Sequence, residues 1–200
     1  MMRADLALIY DWVPEGAHVL DLACGDGVLL DTLAQHKKVT GYGLEIDPDG
    51  MTACVARGVS VIEHNLDDGL GCFQDNSYDL VIMTQALQAL RRPDKMLDEM
   101  LRVANEGIIT FPNFAYWRHR IHLGLRGYMP VSKSLPHAWY DTPNIHLSTF
   151  NDFEHLCGEK GLVIVDRAVG VGDHKGHWTS KWWPNLFGEI AIFRVRRRPS

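Results

Sequence analysis

Nine residues, Val19 to Gly27, limit what this chain can fold into more than any others. Val19-Leu20-Asp21-Leu22 reads as a strand, Ala23-Cys24-Gly25-Asp26-Gly27 as a turn, and Val28 to Leu33 as an amphipathic helix. Two glycines in such a turn let the backbone approach a bound group closely, which is how α/β proteins hold nucleotides. A dinucleotide loop carries a third Gly or Ala three residues after the second glycine. Leu30 stands there, which disfavours a pyrophosphate cradle and with it NAD. Glu45 ends the next strand-like run, Val39 to Glu45, about twenty residues past the turn, the place from which a carboxylate grips a ribose diol. Ribose without pyrophosphate indicates a nucleoside ligand.

The heptapeptide Asp21-Leu22-Ala23-Cys24-Gly25-Asp26-Gly27 resembles the first motif of class I S-adenosylmethionine-dependent methyltransferases, with Ala23 where that motif more often has glycine. The resemblance implies an α/β, Rossmann-like fold: a mostly parallel seven-stranded sheet, an antiparallel terminal strand and helices on both faces. It also implies S-adenosylmethionine or S-adenosylhomocysteine as cofactor. By the same resemblance, cofactor contacts fall to Asp21, Ala23, Cys24, Gly25, Asp26 and Gly27, then to Glu45 and Ile46 after the second strand. Asn65, Leu66 and Asp67 follow the third strand, where Asp67 or Asn65 would meet the adenine amino group, and Thr84 and Gln85 follow the fourth. For Asn65 and Asp67 a plain helix cap is the competing reading, since both residue types favour such turns.

Two hundred residues with 46% hydrophobic content suit a single domain over residues 1–200 with a sizeable core. No stretch resembles a signal peptide or a membrane span, so a cytoplasmic protein is expected. Cys24, Cys54, Cys72 and Cys157 lie far apart without Cys-x-x-Cys pairing, which fits free thiols rather than a disulfide framework or a zinc site. Cys24 reads as a small packing residue of the turn. A formal charge of −5 argues against whole-surface nucleic-acid binding.

In chain order, Arg3 to Trp12 places Leu6, Ile9, Tyr10 and Val13 at helical spacing beside the ligand turn. Asp47 caps a helix with Pro48 in its first position, which Gly58 stops after Arg57. Val59 to Glu63 is a short third strand, and Tyr78 to Met83 a fourth whose continuous apolar run predicts burial on both faces. Pro93-Asp94 opens a helix with Met96, Leu97, Met100, Leu101 and Ala104 on one stripe. Gly107 to Phe111 is a fifth strand, Thr149 opens a further helix with Leu156 and Cys157 inward, and Leu162–Gly170 and Gly188–Val195 close the sheet. The segment between them carries Trp178, Trp182 and Trp183, and Arg194 to Arg198 reads as a solvated tail. Alternating strands and helices require a parallel sheet with ligands at the carboxyl ends of its strands.

Residues 112–148 form an insert at that ligand end, too long for a simple connection. It interleaves Phe114, Tyr116, Trp117, Trp139 and Tyr140 with Arg118, Arg120, Arg126 and Lys133, and reads as a lid or a docking surface; aromatics that only roof the sheet are the alternative. His119 and His122, or His174 and His177, sit three apart, but with no third ligand nearby in sequence no metal site is expected.

The runs Phe111 to Arg118, Met129-Pro130-Val131 and Leu135 to His146 resemble the MetW family of methionine-biosynthesis proteins over nearly the whole chain. That resemblance implies a methyltransferase fold acting beside a homoserine O-acyltransferase whose activity it supports, with a homodimer left open. It supplies no methyl acceptor and no catalytic pair. Two function classes compete. In the favoured one the chain binds the cofactor without catalysis and docks on the acyltransferase; in the other it methylates a small metabolite positioned by His137, Tyr140 or His146. Trp117, Arg118, Arg126, His137, Trp139, Tyr140, Asn144 and His146 are the substrate or partner candidates.

Overall fold

The computed structural model describes residues 4–171, 174–175 and 182–198. Arg3, His177 and Trp178 lie outside them. Helix α1 (Ala4–Trp12) leads into β1 (His18–Leu22), then α2 (Val28–Lys37), β2 (Thr40–Glu45), α3 (Pro48–Arg57) and β3 (Val61–Glu63). After β4 (Tyr78–Thr84) come α4 (Pro93–Val103), β5 (Ala104–Pro112), α5 (Trp117–Arg126), α6 (Phe150–Glu159), β6 (Leu162–Val171), β7 (His174–Lys175), α7 (Pro184–Phe187) and β8 (Ile190–Arg197). The sheet order is β3-β2-β1-β4-β5-β8-β6-β7. Strands β1 to β5 run parallel, and β8 enters antiparallel between β5 and β6. This is the expected seven-strand framework with one addition, the two-residue β7 paired antiparallel to the outer edge of β6.

Side-chain alternation along the central strands divides the core into two layers. Val81 and Met83 of β4 face α4 and α6, packing with Met96, Leu97, Met100, Leu101, Phe150 and Phe153. Leu80 and Ile82 face the other way, onto Leu6 and Ile9 of α1 and Leu29, Leu30 and Leu33 of α2. Phe111, Phe150, Phe153 and Phe193 join β5, β8 and α6, with ring centroids 4.4 Å apart for Phe150 and Phe193 and 5.3 Å for Phe111 and Phe153. Each such fully buried side chain contributes about 1.5–3 kcal/mol relative to its exposed state.

Several boundaries differ from the sequence reading, each for a local reason. β3 begins at Val61 rather than Val59, because the Val59 amide is used at the end of α3, donating to the Cys54 carbonyl at 3.0 Å. Ala104 does not extend the α4 stripe: it turns extended and starts β5 at once, so helix and strand join without a loop. Arg194 belongs to β8, not to a tail, and its guanidinium lies 2.6 Å from Glu106 on the neighbouring strand. Gly41 on β2 has φ +145°, and a Cβ there would stand 1.7 Å from the Val19 carbonyl oxygen. The β1–β2 pairing therefore admits only glycine at that position.

Candidate functional site

β1 and β4 are neighbours in the sheet, yet their connections leave in opposite directions, and the crevice at their carboxyl ends is the switch point where α/β sheets bind ligands. Backbone conformation there is unusual. Ala23 (φ 54°) after β1 and Gln85 (φ 53°) after β4 are both non-glycine residues in the left-handed region, a conformation that costs on the order of 1 kcal/mol or more. Gly25 (φ 58°) and Gly27 (φ 73°) share that region without the penalty. A Cβ on Gly25 would meet nothing within 4 Å, whereas one on Gly27 would press on the Cys54 sulfur at 2.8 Å. The two glycines thus do different work: Gly27 packs inward, and Gly25 leaves open space above the turn.

Asp21, in β1, is 1% exposed, and its Oδ1 has no hydrogen-bond partner. Burial, reinforced by the Glu45 carboxylate, pushes its pKa up to about 8. A buried carboxyl oxygen without a donor is costly, and a bound group carrying N–H donors or a positive charge would satisfy it.

Glu45 is held by the loops around it. Oε2 accepts from the Gly25 amide at 2.8 Å, and Oε1 accepts from the amides of Ile46 (2.8 Å) and Asp47 (2.9 Å). A carboxylate offers about four acceptor sites, so three backbone donors leave room for one ribose hydroxyl rather than a bidentate grip on the diol. Ile46 beside it is 56% exposed, an apolar surface that suits the face of a flat ring.

The remaining turn residues are engaged locally. Cys24 donates its amide to the Leu44 carbonyl at 3.0 Å, and its sulfur lies 3.7 Å from that of Cys54. Burial raises the pKa of both thiols, keeping them protonated. Gly43 makes room for this pair, since a Cβ there would stand 2.4 Å from the Cys24 sulfur. Asp26 pairs with Arg57 at 2.9 Å on the surface. Asn65 caps the short turn Leu66–Asp68 by accepting from the Asp67 amide at 3.1 Å. Asp67 in turn accepts from the Arg91 amide at 2.9 Å, tying the β3 turn to the segment after β4. Leu66 is buried and Thr84 half-buried.

The insert divides its candidates into two groups. Asn144 and His146 lie against the sheet end, where the Gln88 carbonyl accepts from the amides of Ile145 and His146, both at 3.0 Å. With Gln88, Pro112, Phe114 and Leu135 they line a small cleft beside the carboxyl ends of β4 and β5. Trp139 and Tyr140 stand in solvent, 74% and 75% exposed, edge to face at 5.7 Å. His137 is exposed, as are Arg118 and Arg126 on α5, while Trp117 is half-buried with the Arg118 guanidinium 5.4 Å from its ring centroid.

Three supporting residues escaped the sequence reading. Asp5 of α1 is buried and accepts from Gln85 Nε2 at 3.1 Å, fixing the residue after β4. Its signal was an acid on the same stripe as Ile9 and Val13, positions i, i+4 and i+8. Gln88, a polar residue inside the apolar run Ala86 to Leu90, anchors both its own turn and the insert. Asn113 at the end of β5 is fully buried: Oδ1 accepts from Ala115 and Phe150, and Nδ2 donates to the carbonyls of Asn185 and Gly188. Such a residue is visible only when segments remote in sequence meet.

Among the described residues, no group of three or more His, Cys, Asp or Glu is arranged to hold a metal ion, and no helix is long and apolar enough to cross a membrane.

Comparison with known proteins fits this geometry. An S-adenosylmethionine-dependent methyltransferase from Mesorhizobium loti superposes with a TM-score of 0.69 at 15% identity, covering 96% of each chain. One from Thermotoga maritima gives 0.68 at 15% identity, over 98% of this chain and 88% of that one. The 4+2 cyclase SpnF gives 0.65 at 15% identity, over 98% and 81%, so the fold alone does not fix the reaction. In sequence, the chain is 32% identical over 205 residues to the bifunctional methionine biosynthesis protein MetXA/MetW of Rhodopirellula baltica. That alignment covers 98% of this chain and spans about a third (33%) of the relative. The model of the methionine biosynthesis protein MetW family matches residues 3–195, and with the methyltransferase fold beneath it the chain belongs to the MetW family.

Proposed function

We propose that this chain binds S-adenosylmethionine or S-adenosylhomocysteine at the carboxyl ends of β1, β2 and β4, and serves methionine synthesis by associating with a homoserine O-acyltransferase. The observation that carries the binding half is the unpartnered Asp21 carboxyl oxygen, buried beneath a turn whose Gly25 faces open space. The residues fit the ligand. Asp21 would take the amino-acid end, Glu45 one ribose hydroxyl, Ile46 the adenine face, and Asn65 or Asp67 the adenine edge. S-adenosylmethionine supplies an electrophilic methyl group on a sulfonium; the protein's residues bind and orient it. The association half is supported by the bifunctional relative, whose name joins a MetXA unit to a MetW unit in one polypeptide.

A second reading is methyl transfer to a small metabolite positioned by His137, Tyr140 or His146, of which His146 lines the small cleft at the carboxyl ends of β4 and β5. One experiment tests both halves of the first reading. The purified chain is titrated calorimetrically with each cofactor, then added to homoserine O-acyltransferase under assay. Saturable micromolar binding together with raised acyltransferase activity is the expected result. Failure to bind either cofactor removes the first half of the reading, and unchanged acyltransferase activity removes the second.

A further inference from the structure

Helix α5 is poorly explained by the chain that contains it. Ten residues long, it has only His119 fully buried, and an isolated helix of that length is marginal in water. His119 Nε2 lies 3.1 Å from Ser132 Oγ, and the run continues through Ser134 to Glu189, so one face of the helix is pinned. At about 100° per residue the opposite face carries Ile121 and Leu125. These side chains are 49% and 83% exposed, and the chain beyond the helix adds Tyr128 and Val131, also exposed. Four large apolar side chains in so short a stretch mark a contact surface rather than scattered exposure.

Charge indicates what could cover it. From Asn113 to Lys133 the sequence has Arg118, Arg120 and Arg126 and no Asp or Glu, on a chain of net charge −5. A two-fold dimer through this face would set the same patch against itself, bringing Arg118, which flanks Leu125 on the helix, towards its own copy, an arrangement that opposes association. A different protein with an apolar groove and an acidic rim would complement both the hydrophobic and the cationic elements. We infer that the outer face of α5, with Tyr128 and Val131, is the surface on which the homoserine O-acyltransferase docks, through an acid-rimmed apolar groove. This inference rests on the proposed association and adds its location and chemistry.

The test uses the full chain and the purified acyltransferase from the same cell. Leu125→Glu and Ile121→Glu place a charge where apolar contact is expected, and Arg118→Glu reverses a rim charge. Each apolar-face variant is expected to weaken the complex by at least about thirtyfold, as truncated hot spots do. Arg118→Glu is expected to weaken it less and to flatten its salt dependence. Melting temperature and S-adenosylmethionine affinity are expected to stay unchanged, because these side chains are exposed and away from the Gly25 turn. If the unaltered chain does not bind the acyltransferase, the association itself is wrong. If it binds and Leu125→Glu and Ile121→Glu bind equally well, the association stands and this surface assignment is overturned. Should sedimentation show a dimer of the unaltered chain that Leu125→Glu converts to monomer, the face belongs to a second copy and the inference also fails.

Discussion

Glu45 Oε2 accepts a hydrogen bond from the Gly25 amide at 2.8 Å, so the acid at the end of β2 and the glycine after β1 form one unit rather than two independent ligand contacts. Glu45→Ala is expected to strip three backbone amides of their acceptor, costing on the order of 1.5–3 kcal/mol of stability. Glu45→Gln keeps an acceptor and is expected to retain most of that stability while weakening cofactor binding by several-fold. Paired thermal melts and calorimetry would check this. If Glu45→Ala lowers the melting temperature while cofactor affinity is unchanged, Glu45 braces the loops and takes no part in binding.

Asp21 makes stability depend on pH in a direction opposite to that of most carboxylates. Its folded pKa is raised from 3.8 to about 8, so the protonated form belongs to the folded state. The associated stability is fully present below about pH 4 and is lost as pH rises through 8. Asp21→Asn cannot ionise, so its stability relative to the unaltered chain is expected to grow between pH 5 and 9, on the order of 2–5 kcal/mol. Urea midpoints at the two pH values give the comparison, and parallel curves would mean that Asp21 is ionised in the apo protein.

Asn113 holds four backbone groups through one side chain. Asn113→Ala would leave the amides of Ala115 and Phe150 and the carbonyls of Asn185 and Gly188 short of partners in a buried place. A loss of about 3–5 kcal/mol is expected from chemical denaturation. A loss under about 1 kcal/mol would mean that water enters and replaces the amide.

Chelator treatment is expected to leave the melting temperature unchanged, because among the described residues no three His, Cys, Asp or Glu side chains gather to hold a metal ion. A fall of many degrees on dialysis against a chelator, reversed by adding back one metal ion, would reveal a structural site.

Much of the sheet could be read from the chain because its signals are local: apolar runs for β1 and β4, Gly58 and Pro48 at the ends of α3, Thr149 at the start of α6. The turn between β1 and α2 was legible for the same reason, its glycines and Glu45 lying within one βαβ unit. What could not be read depended on meetings at long range. Asp5 finds Gln85 across eighty positions and Asn113 finds Gly188 across seventy-five, and no periodicity in either stretch announces the other. The ribose contact expected of Glu45 gave no sign of the three backbone amides that turn towards its carboxylate. Within the insert, residue type indicated a contact surface, but only the fold separates Asn144 and His146, held on Gln88, from Trp139 and Tyr140 in solvent.

The strand order has a consequence for synthesis. β8, the last strand in chain order, lies inside the sheet between β5 and β6, and its pairing with β5 joins residues more than seventy positions apart. Until the ribosome has delivered Ile190 to Arg197, β5 presents an open edge bearing Ile108, Ile109 and Phe111, and Phe111 lacks its partner Phe193. Such an edge pairs readily with other chains, so a nascent or truncated chain ending before Ile190 is a natural client for a chaperone.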